Sequence, residues 1–276
     1  MTDKVIVAVA PVAATATENN PQAIAREVAA CCEAGAGMVH LHCRDFRGQL
    51  TADTVLLEET VREIRRLCPI VIEISTGGVS GLTIRERCAP CYPAWVECNS
   101  LNVGSVNLGD AVYVNPIGDV RYCVEQILTN RKTPEIEVFE IGMLNTARVL
   151  SQEFAFEKPI LFSLVLGHFG AMPATVYALR AMIDGLYANF PNRNDVLWGI
   201  THAHRRGWEL IQTALDFGAR TVRVGFEDSA YLDPQTAAGG NMPLVKRCAE
   251  IIRGKGKTTA APDEIRKMLR IRALQK

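Results

Sequence analysis

The chain has 276 residues, 48% of them hydrophobic, enough to bury a large core in one barrel of about 250 residues or in two domains. Thirty basic and thirty acidic side chains cancel, so no positive field recommends a nucleic acid or an anionic membrane, and small molecules are the default partners. No apolar run approaches the roughly 20 residues of a membrane span, and nine scattered cysteines with no secretory leader before the first strand-like segment point to a reducing cytoplasm.

Apolar runs rich in β-formers at residues 5–10, 37–42, 70–75, 96–101, 135–140, 160–166, 196–201 and 221–225 predict strands. Stretches of helical periodicity follow them at 21–34, 52–67, 83–91, 119–130, 143–151, 175–187, 207–217 and 241–253. Pro21 suits a first helical turn, and Gly35 and Gly218 stand where two helices stop. From Ala261 onward, Pro262-Asp263-Glu264 opens residues 265–274, which read as an added surface helix. No linker, low-complexity segment or longer repeat interrupts the alternation. It predicts an α/β chain, a single (β/α)8 TIM barrel domain over residues 1–276 with an extra C-terminal helix.

The chemistry of such a barrel lies at the C-terminal strand ends, and polar residues stand there. His40 and His42 end the second strand, two apart, so they share a face and can grip one metal ion. Glu227, at the end of the eighth, completes a His2Glu set that leaves coordination positions open, a catalytic pattern. A lone buried histidine more often satisfies a core hydrogen bond, but two on one face at a barrel mouth reverse that preference. Arg44 and Asp45 follow as an orienting pair or a solvated ion pair.

Ser75-Thr76-Gly77-Gly78 offers two hydroxyls and two bare backbone amides, an oxyanion or carboxylate pocket if it is not an ordinary glycine turn. Ser100 and Asn102 can bond a substrate carbonyl or cap a turn, and spacing does not separate these roles. Glu140 ends the fifth strand as an orienting group or a buried acid. Arg223 alternates onto the face of Glu227 and needs a partner; Asp228 is the nearest in sequence, as catalytic group or as structural ion pair. His202 and His204 repeat the H-x-H spacing ahead of Arg205 and Arg206, which suits a second metal site, substrate or phosphate contacts at the rim, or a surface loop. Met143 reads as core, and Cys88 and Cys91 as buried thiols without a second pair.

Taken together, His40-Leu41-His42-Cys43-Arg44-Asp45, Ile74-Ser75-Thr76-Gly77-Gly78, Ser100-Leu101-Asn102-Val103-Gly104-Ser105 and Arg223-Val224-Gly225-Phe226-Glu227-Asp228 resemble the β-keto acid cleavage enzymes. The resemblance runs over residues 5–269, takes in residues 137–143 and 164–167, and keeps the order of motifs. It implies a zinc-dependent barrel that converts a β-keto acid and acetyl-CoA into acetoacetate and a new acyl-CoA. By resemblance His40, His42 and Glu227 hold zinc, although such a set also accepts iron, cobalt or manganese. Ser75, Arg223 and Asp228 match the group that promotes loss of a proton from the substrate methylene. Gly78 and Ser100 match substrate-binding positions, and Thr76, Gly77, Asn102 and Glu140 complete the candidate substrate set. The family's habit implies a homotetramer.

The end of the first strand departs from the pattern. Aminohexanoate-cleaving members carry Thr-Gly-Ala-Glu where this chain has Pro11-Val12-Ala13-Ala14, and an alanine cannot pair with an ammonium. The natural substrate is therefore expected to lack that amino group and to have a neutral, apolar or anionic tail; Arg205 and Arg206 would favour a second carboxylate. One rival reading is a metal-dependent barrel hydrolase, which usually adds further histidines and a bridging lysine, whereas no lysine stands at a strand end here. The other is a non-catalytic metabolite-binding barrel, against which the intact polar set argues.

Overall fold

In the computed structural model, which describes residues 4–272, a parallel sheet closes on itself. Its eight barrel strands are β1 (Lys4–Val9), β2 (Met38–Leu41), β3 (Val71–Ile74), β4 (Cys98–Asn102), β7 (Thr133–Val138), β8 (Ile160–Leu166), β9 (Val196–His202) and β10 (Thr221–Val224). Between the fourth and fifth of them an antiparallel hairpin, β5 (Val106–Leu108) and β6 (Ala111–Tyr113), projects from the barrel mouth. Closure is made by β1, which pairs Ala8 with Met38 of β2 on one side and with Arg223 of β10 on the other. A two-residue strand, β11 (Thr258–Thr259), adds to the start of β1.

The outer ring runs α1 (Pro21–Glu33), α2 (Val55–Leu67), α3 (Ile84–Arg87), α4 (Ile117–Thr129), α5 (Gly142–Glu153), α6 (Val176–Asn189), α7 (Glu209–Asp216) and α8 (Asn241–Gly254). The predicted alternation is thus the observed one. Local chemistry sets the helix starts: Asn20 accepts the Ala23 amide at 3.0 Å ahead of Pro21, and Thr175 accepts that of Ala178 at 3.1 Å. Glycines with positive φ, Gly35 and Gly218, end two helices where the sequence placed them. The stretch predicted as one helix over 83–91 is shorter. It breaks after Arg87 into a 3-10 turn at Ala89–Cys91, because Pro90 cannot continue the ladder.

The C-terminal helix, α9 (Pro262–Met268), is not the surface addition the sequence suggested. Ile265 and Leu269 are fully buried and, with Ala260, join Ile6, Ala8, Met38, Val71, Cys98, Leu161 and Leu197 in one apolar cluster. These strand residues face the barrel axis, so α9 plugs the N-terminal end of the barrel. Each large side chain so buried contributes about 1.5–3 kcal/mol. Arg266 fastens the plug: its Nε donates to Glu97 Oε1 at 2.6 Å, while Glu97 also receives Arg65 and the Ile72 amide. Residues 273–274 of the predicted helix lie outside the described residues.

Above this floor the barrel interior turns polar, against the usual filling of branched aliphatics. Strand register puts His40 opposite Glu73, Ser100 opposite Glu135, Glu137 opposite Ser163 and Arg223 opposite Thr201. All eight side chains are buried. An interior of this kind is costly unless its groups are paired, and their pairing defines the site at the C-terminal rim.

Candidate active site

His40 lies in β2 and His42 one residue beyond its end; alternation points both rings into the mouth. The rings meet edge to face with centroids 5.2 Å apart. Glu227 arrives from the turn after β10. That turn requires glycine: Gly225 has φ +138, and a β-carbon there would overlap the Ala10 carbonyl. The close approach lets Glu227 N donate to Ala10 O at 3.2 Å. Glu227 Oε1 then stands 3.2 Å from His42 Nε2 and 3.8 Å from His40 Nε2.

These three donor atoms, with the bracing of their rings, fit a metal ion. Ligand atoms about 2 Å from a tetrahedral ion stand roughly 3.3 Å apart, close to the separations seen. Burial works against ionisation of Glu227, yet the imidazoles of His42 and His40 and the Arg223 guanidinium hold its carboxyl well below the usual carboxylate range. An anionic carboxylate and two imidazoles aimed at one point are the donor set of an open catalytic site.

Arg223 is the hub beside them. It donates to both carboxylate oxygens of Asp228, to Glu137 Oε1 at 3.2 Å and to Glu227 Oε1 at 3.5 Å. Burial alone would depress its basicity; Asp228 and Glu227 reverse this and hold the guanidinium firmly charged. Opposite, Ser75 Oγ lies 3.3 Å from Ser100 Oγ and accepts the Gly77 amide at 3.2 Å. Gly77 is also obligatory: a β-carbon would overlap the Tyr113 hydroxyl from the hairpin. Arg87 ties the two loops together, donating from Nε to Thr76 O at 3.0 Å and from Nη1 to Val114 O at 3.0 Å.

The resulting cavity of about 810 Å³ is lined by His40, His42, Ser75, Gly77, Gly78, Arg223, Glu227 and Asp228, and also by Ala14, Arg44, Tyr113, Glu137, Phe139, His168 and His204. Four members of the candidate set stay outside its lining. Thr76 turns its hydroxyl to the Ser100 carbonyl at 2.7 Å. Ser100 stands behind Ser75, its hydroxyl also accepting the Thr76 amide at 3.4 Å. Asn102 caps a turn, accepting the Gly104 amide at 3.0 Å. Glu140 sits in the turn before α5, where partial burial raises its carboxyl pKa. The strand ends at Val138, and Glu140 has the parity of Ile136 and Val138, which pack outward against helices.

Sequence reading missed Glu137, although Glu135 and Glu137 alternate with those apolar residues and therefore face inward. It also missed Glu73 and Glu135, which are buried beneath His40. Burial pushes Glu73 up to about 7 and Glu135 well above its ordinary value, each with the other's carboxyl beside it. Arg44 and Asp45 do not pair. Arg44 donates to Gly48 O at 2.6 Å, and Asp45 accepts the Arg47 and Gln49 amides at 2.9 Å in a turn. His202 and His204 form no metal-capable group among the described residues. His204 instead packs edge-on against His168, and burial with His204 nearby lowers His168 to about 4. Arg205 stacks on Trp208 and Arg206 on Tyr231; neither lines the cavity.

A family model described as beta-keto acid cleavage enzyme matches residues 4–271. The chain belongs to this family. The 3-keto-5-aminohexanoate cleavage enzyme of Fusobacterium nucleatum is 32% identical to it, over 99% of this chain and 100% of the relative. The 3,5-dioxohexanoate:acetyl-CoA acetone transferase of Paraburkholderia graminis is 29% identical, over 98% and 96%. Among solved structures, ObcA with oxaloacetate superposes with a TM-score of 0.77 over 92% of this chain and 67% of that one, at 21% identity, a likeness of fold. In this β-keto acid cleavage enzyme, His40, His42, Ser75, Arg223, Glu227 and Asp228 line one cavity, while Thr76, Ser100, Asn102 and Glu140 stay outside its lining.

Proposed function

We propose that this β-keto acid cleavage enzyme is a zinc-dependent transferase that takes a β-keto acid and acetyl-CoA to acetoacetate and a new acyl-CoA. The observation that carries the reading is the meeting of His40, His42 and Glu227 with the Arg223–Asp228 pair in one cavity. His40, His42 and Glu227 hold the metal. When bound, zinc supplies Lewis acidity that polarises a carbonyl oxygen of the substrate.

The chain's own groups do the rest. Ser75 and the amides of Gly77 and Gly78 orient the substrate carboxylate, with Thr76, Ser100 and Asn102 shaping that wall and Glu140 bracing the turn behind it. Asp228, oriented by Arg223 and assisted by Ser75, removes a proton from the methylene between the keto and carboxylate groups. The deprotonated carbon forms a bond to the acetyl carbonyl of acetyl-CoA and CoA leaves as the thiolate. The thiolate adds to the original keto carbon; the bond between that carbon and the methylene breaks, and the carbon released takes a proton back. The acetyl-CoA transferase relative supports acetyl-CoA as the second substrate.

The substrate tail carries no ammonium. The acids lining the cavity, Glu137, Glu227 and Asp228, are all engaged by Arg223, and Ala14 offers nothing to a cation. A homotetramer belongs to the same reading, and the exposed Val112, Val114 and Phe169 are apolar surface that an assembly would cover. A cytoplasmic home agrees with nine free thiols, and no helix among the described residues is long and apolar enough to cross a membrane. The test is a screen of the zinc-loaded protein with acetyl-CoA against β-keto acids of different tails, reading acetoacetate and acyl-CoA by mass spectrometry. Product from an uncharged or anionic tail is the expected result. Efficient turnover of an amino-substituted keto acid sinks the tail assignment, and a metal-loaded protein that turns over none of them sinks the reaction.

A further inference from the structure

The two imidazoles of the metal site are pinned by different kinds of acceptor. For both Nε2 atoms to offer lone pairs to one cation beside Glu227, each ring must carry its proton on Nδ1 and give it to an acceptor behind it. His42 does so through the backbone, Nδ1 donating to Gly77 O at 3.1 Å. His40 lies deeper, 1% exposed, and its Nδ1 meets no backbone carbonyl. What faces it is Glu73 Oε2, 3.3 Å away on the neighbouring strand and in direct register with it.

Glu73 is fully buried, and neither carboxylate oxygen has a well-aligned donor among the described residues. Its one ion-pairing contact among the described residues is His40. A side chain that merely filled the barrel would be aliphatic, as Val71 is two residues earlier on the same face. A buried carboxyl is retained at a cost, and the imidazole that this one faces is a ring whose rotation decides whether the metal site exists.

We propose that Glu73 is a positioning residue for the metal centre: it accepts the His40 Nδ1 proton and so fixes the tautomer and rotation that turn Nε2 toward the cation held with His42 and Glu227. The inference rests on the metal-site reading above. Glu135 belongs to the same device. One donor atom from each of His40, Glu73 and Glu135 lies within 4.8 Å of the others, so the Glu135 carboxyl is the neighbour of the Glu73–His40 pair. An amide in place of Glu73 would preserve the chain of contacts, its oxygen accepting from His40 and its NH2 donating to Glu135. A hydrocarbon of the same length would sever both.

The experiment compares wild type, Glu73→Gln and Glu73→Leu, each loaded with Co2+. Affinity is read by competition with a chromophoric chelator, geometry by the visible absorption bands, and stoichiometry by elemental analysis. The expected result is one metal per chain, wild-type-like affinity and spectrum for Glu73→Gln, and a 10- to 100-fold loss with displaced bands for Glu73→Leu. The proposal is overturned if Glu73→Leu binds with wild-type affinity and spectrum, or if Glu73→Gln fails as badly as Glu73→Leu. Two metals per chain also overturn it, since His40, Glu73 and Glu135 would then be a ligand set. Wild type that binds no divalent metal removes the metal-site reading itself, a different failure. Should Glu73→Leu not fold, selective 15N-histidine spectra of the metal-free wild type decide: an Nδ1–H tautomer for His40 is required, and an Nε2–H tautomer refutes the assignment.

Discussion

Arg223 holds Asp228 through two parallel hydrogen bonds, Nε to Oδ2 at 3.0 Å and Nη2 to Oδ1 at 2.6 Å, while its Nη1 reaches Glu137. One planar cation thus sets the direction of the Asp228 carboxylate, the base of the proposed reaction. Lysine keeps the charge but cannot reproduce the fork. Arg223→Lys is expected to lower kcat/KM by roughly 10²-fold or more, the scale of a misplaced general base, with metal content unchanged. Steady-state kinetics beside elemental analysis check this, and a near-normal rate would mean that Asp228 needs no bidentate support.

Removal of the metal separates binding from chemistry. Dialysis against a chelator is expected to abolish turnover, and zinc to restore it. His42→Ala should weaken metal binding by more than about 100-fold, beyond the range for a residue that only orients a ligand. Retained stoichiometric metal in His42→Ala would exclude His42 from the ligand set.

Much of this site was legible because it follows alternation. His40 and His42 stand two apart at a strand end, and Arg223 and Glu227 keep the same parity across Gly225, so one strand geometry carries them to one point. Glu137 is less legible because it lies inside a strand rather than at its end: Ile136 and Val138 commit the other face to the helices, Glu140 has their parity, and Glu137 lines the cavity. The hairpin was invisible for another reason. Val106–Leu108 and Ala111–Tyr113 are three-residue strands, too short to show a period, and the contact of Tyr113 with Gly77 is tertiary. The last helix shows the opposite lesson: its charges suggested a surface, but Ile265 and Leu269, four apart, form a stripe that closes the barrel.

That stripe is open to test. Ile265 is fully buried in the floor cluster, and Ile265→Ala is expected to cost about 2–5 kcal/mol through lost burial and a residual cavity. Urea denaturation measures it. A cost below about 0.5 kcal/mol would mean that α9 is not part of the cooperative unit.

Gly77 joins the hairpin to the cavity wall proposed to bind the substrate carboxylate, because the Tyr113 hydroxyl occupies the space of a β-carbon there. Gly77→Ala must move the Ser75–Gly78 loop or the hairpin. Overpacking of this kind costs about 1–3 kcal/mol, and the displaced amides should appear as a raised KM for the keto acid with less change in its affinity for metal. A substitution that alters stability but leaves KM intact would take the Gly77 amide out of substrate binding.

The buried ionisable groups give the folded state an acid limb of known sign. His168 and His202 each have a pKa near 4 in the folded chain against an ordinary 6.5, chiefly because burial disfavours the charged ring. Between pH 6.5 and 4 the unfolded chain therefore binds protons that the folded chain refuses, so stability is full above 6.5 and falls as pH drops through this window. Glu73 acts in the other sense. Burial raises it from 4.5 to about 7, so the folded chain keeps a proton that the unfolded chain releases, and its contribution, full below 4.5, is lost as pH rises toward 7. Urea midpoints of chelator-treated protein separate the two, since metal would add its own proton linkage. The double variant His168→Gln with His202→Gln should flatten the acid loss between 6.5 and 4, and Glu73→Gln should raise the midpoint at pH 7 relative to that at pH 4.5. If the double variant loses stability toward acid as steeply as wild type, the two imidazoles are already charged in the folded state and the acid limb belongs to other groups.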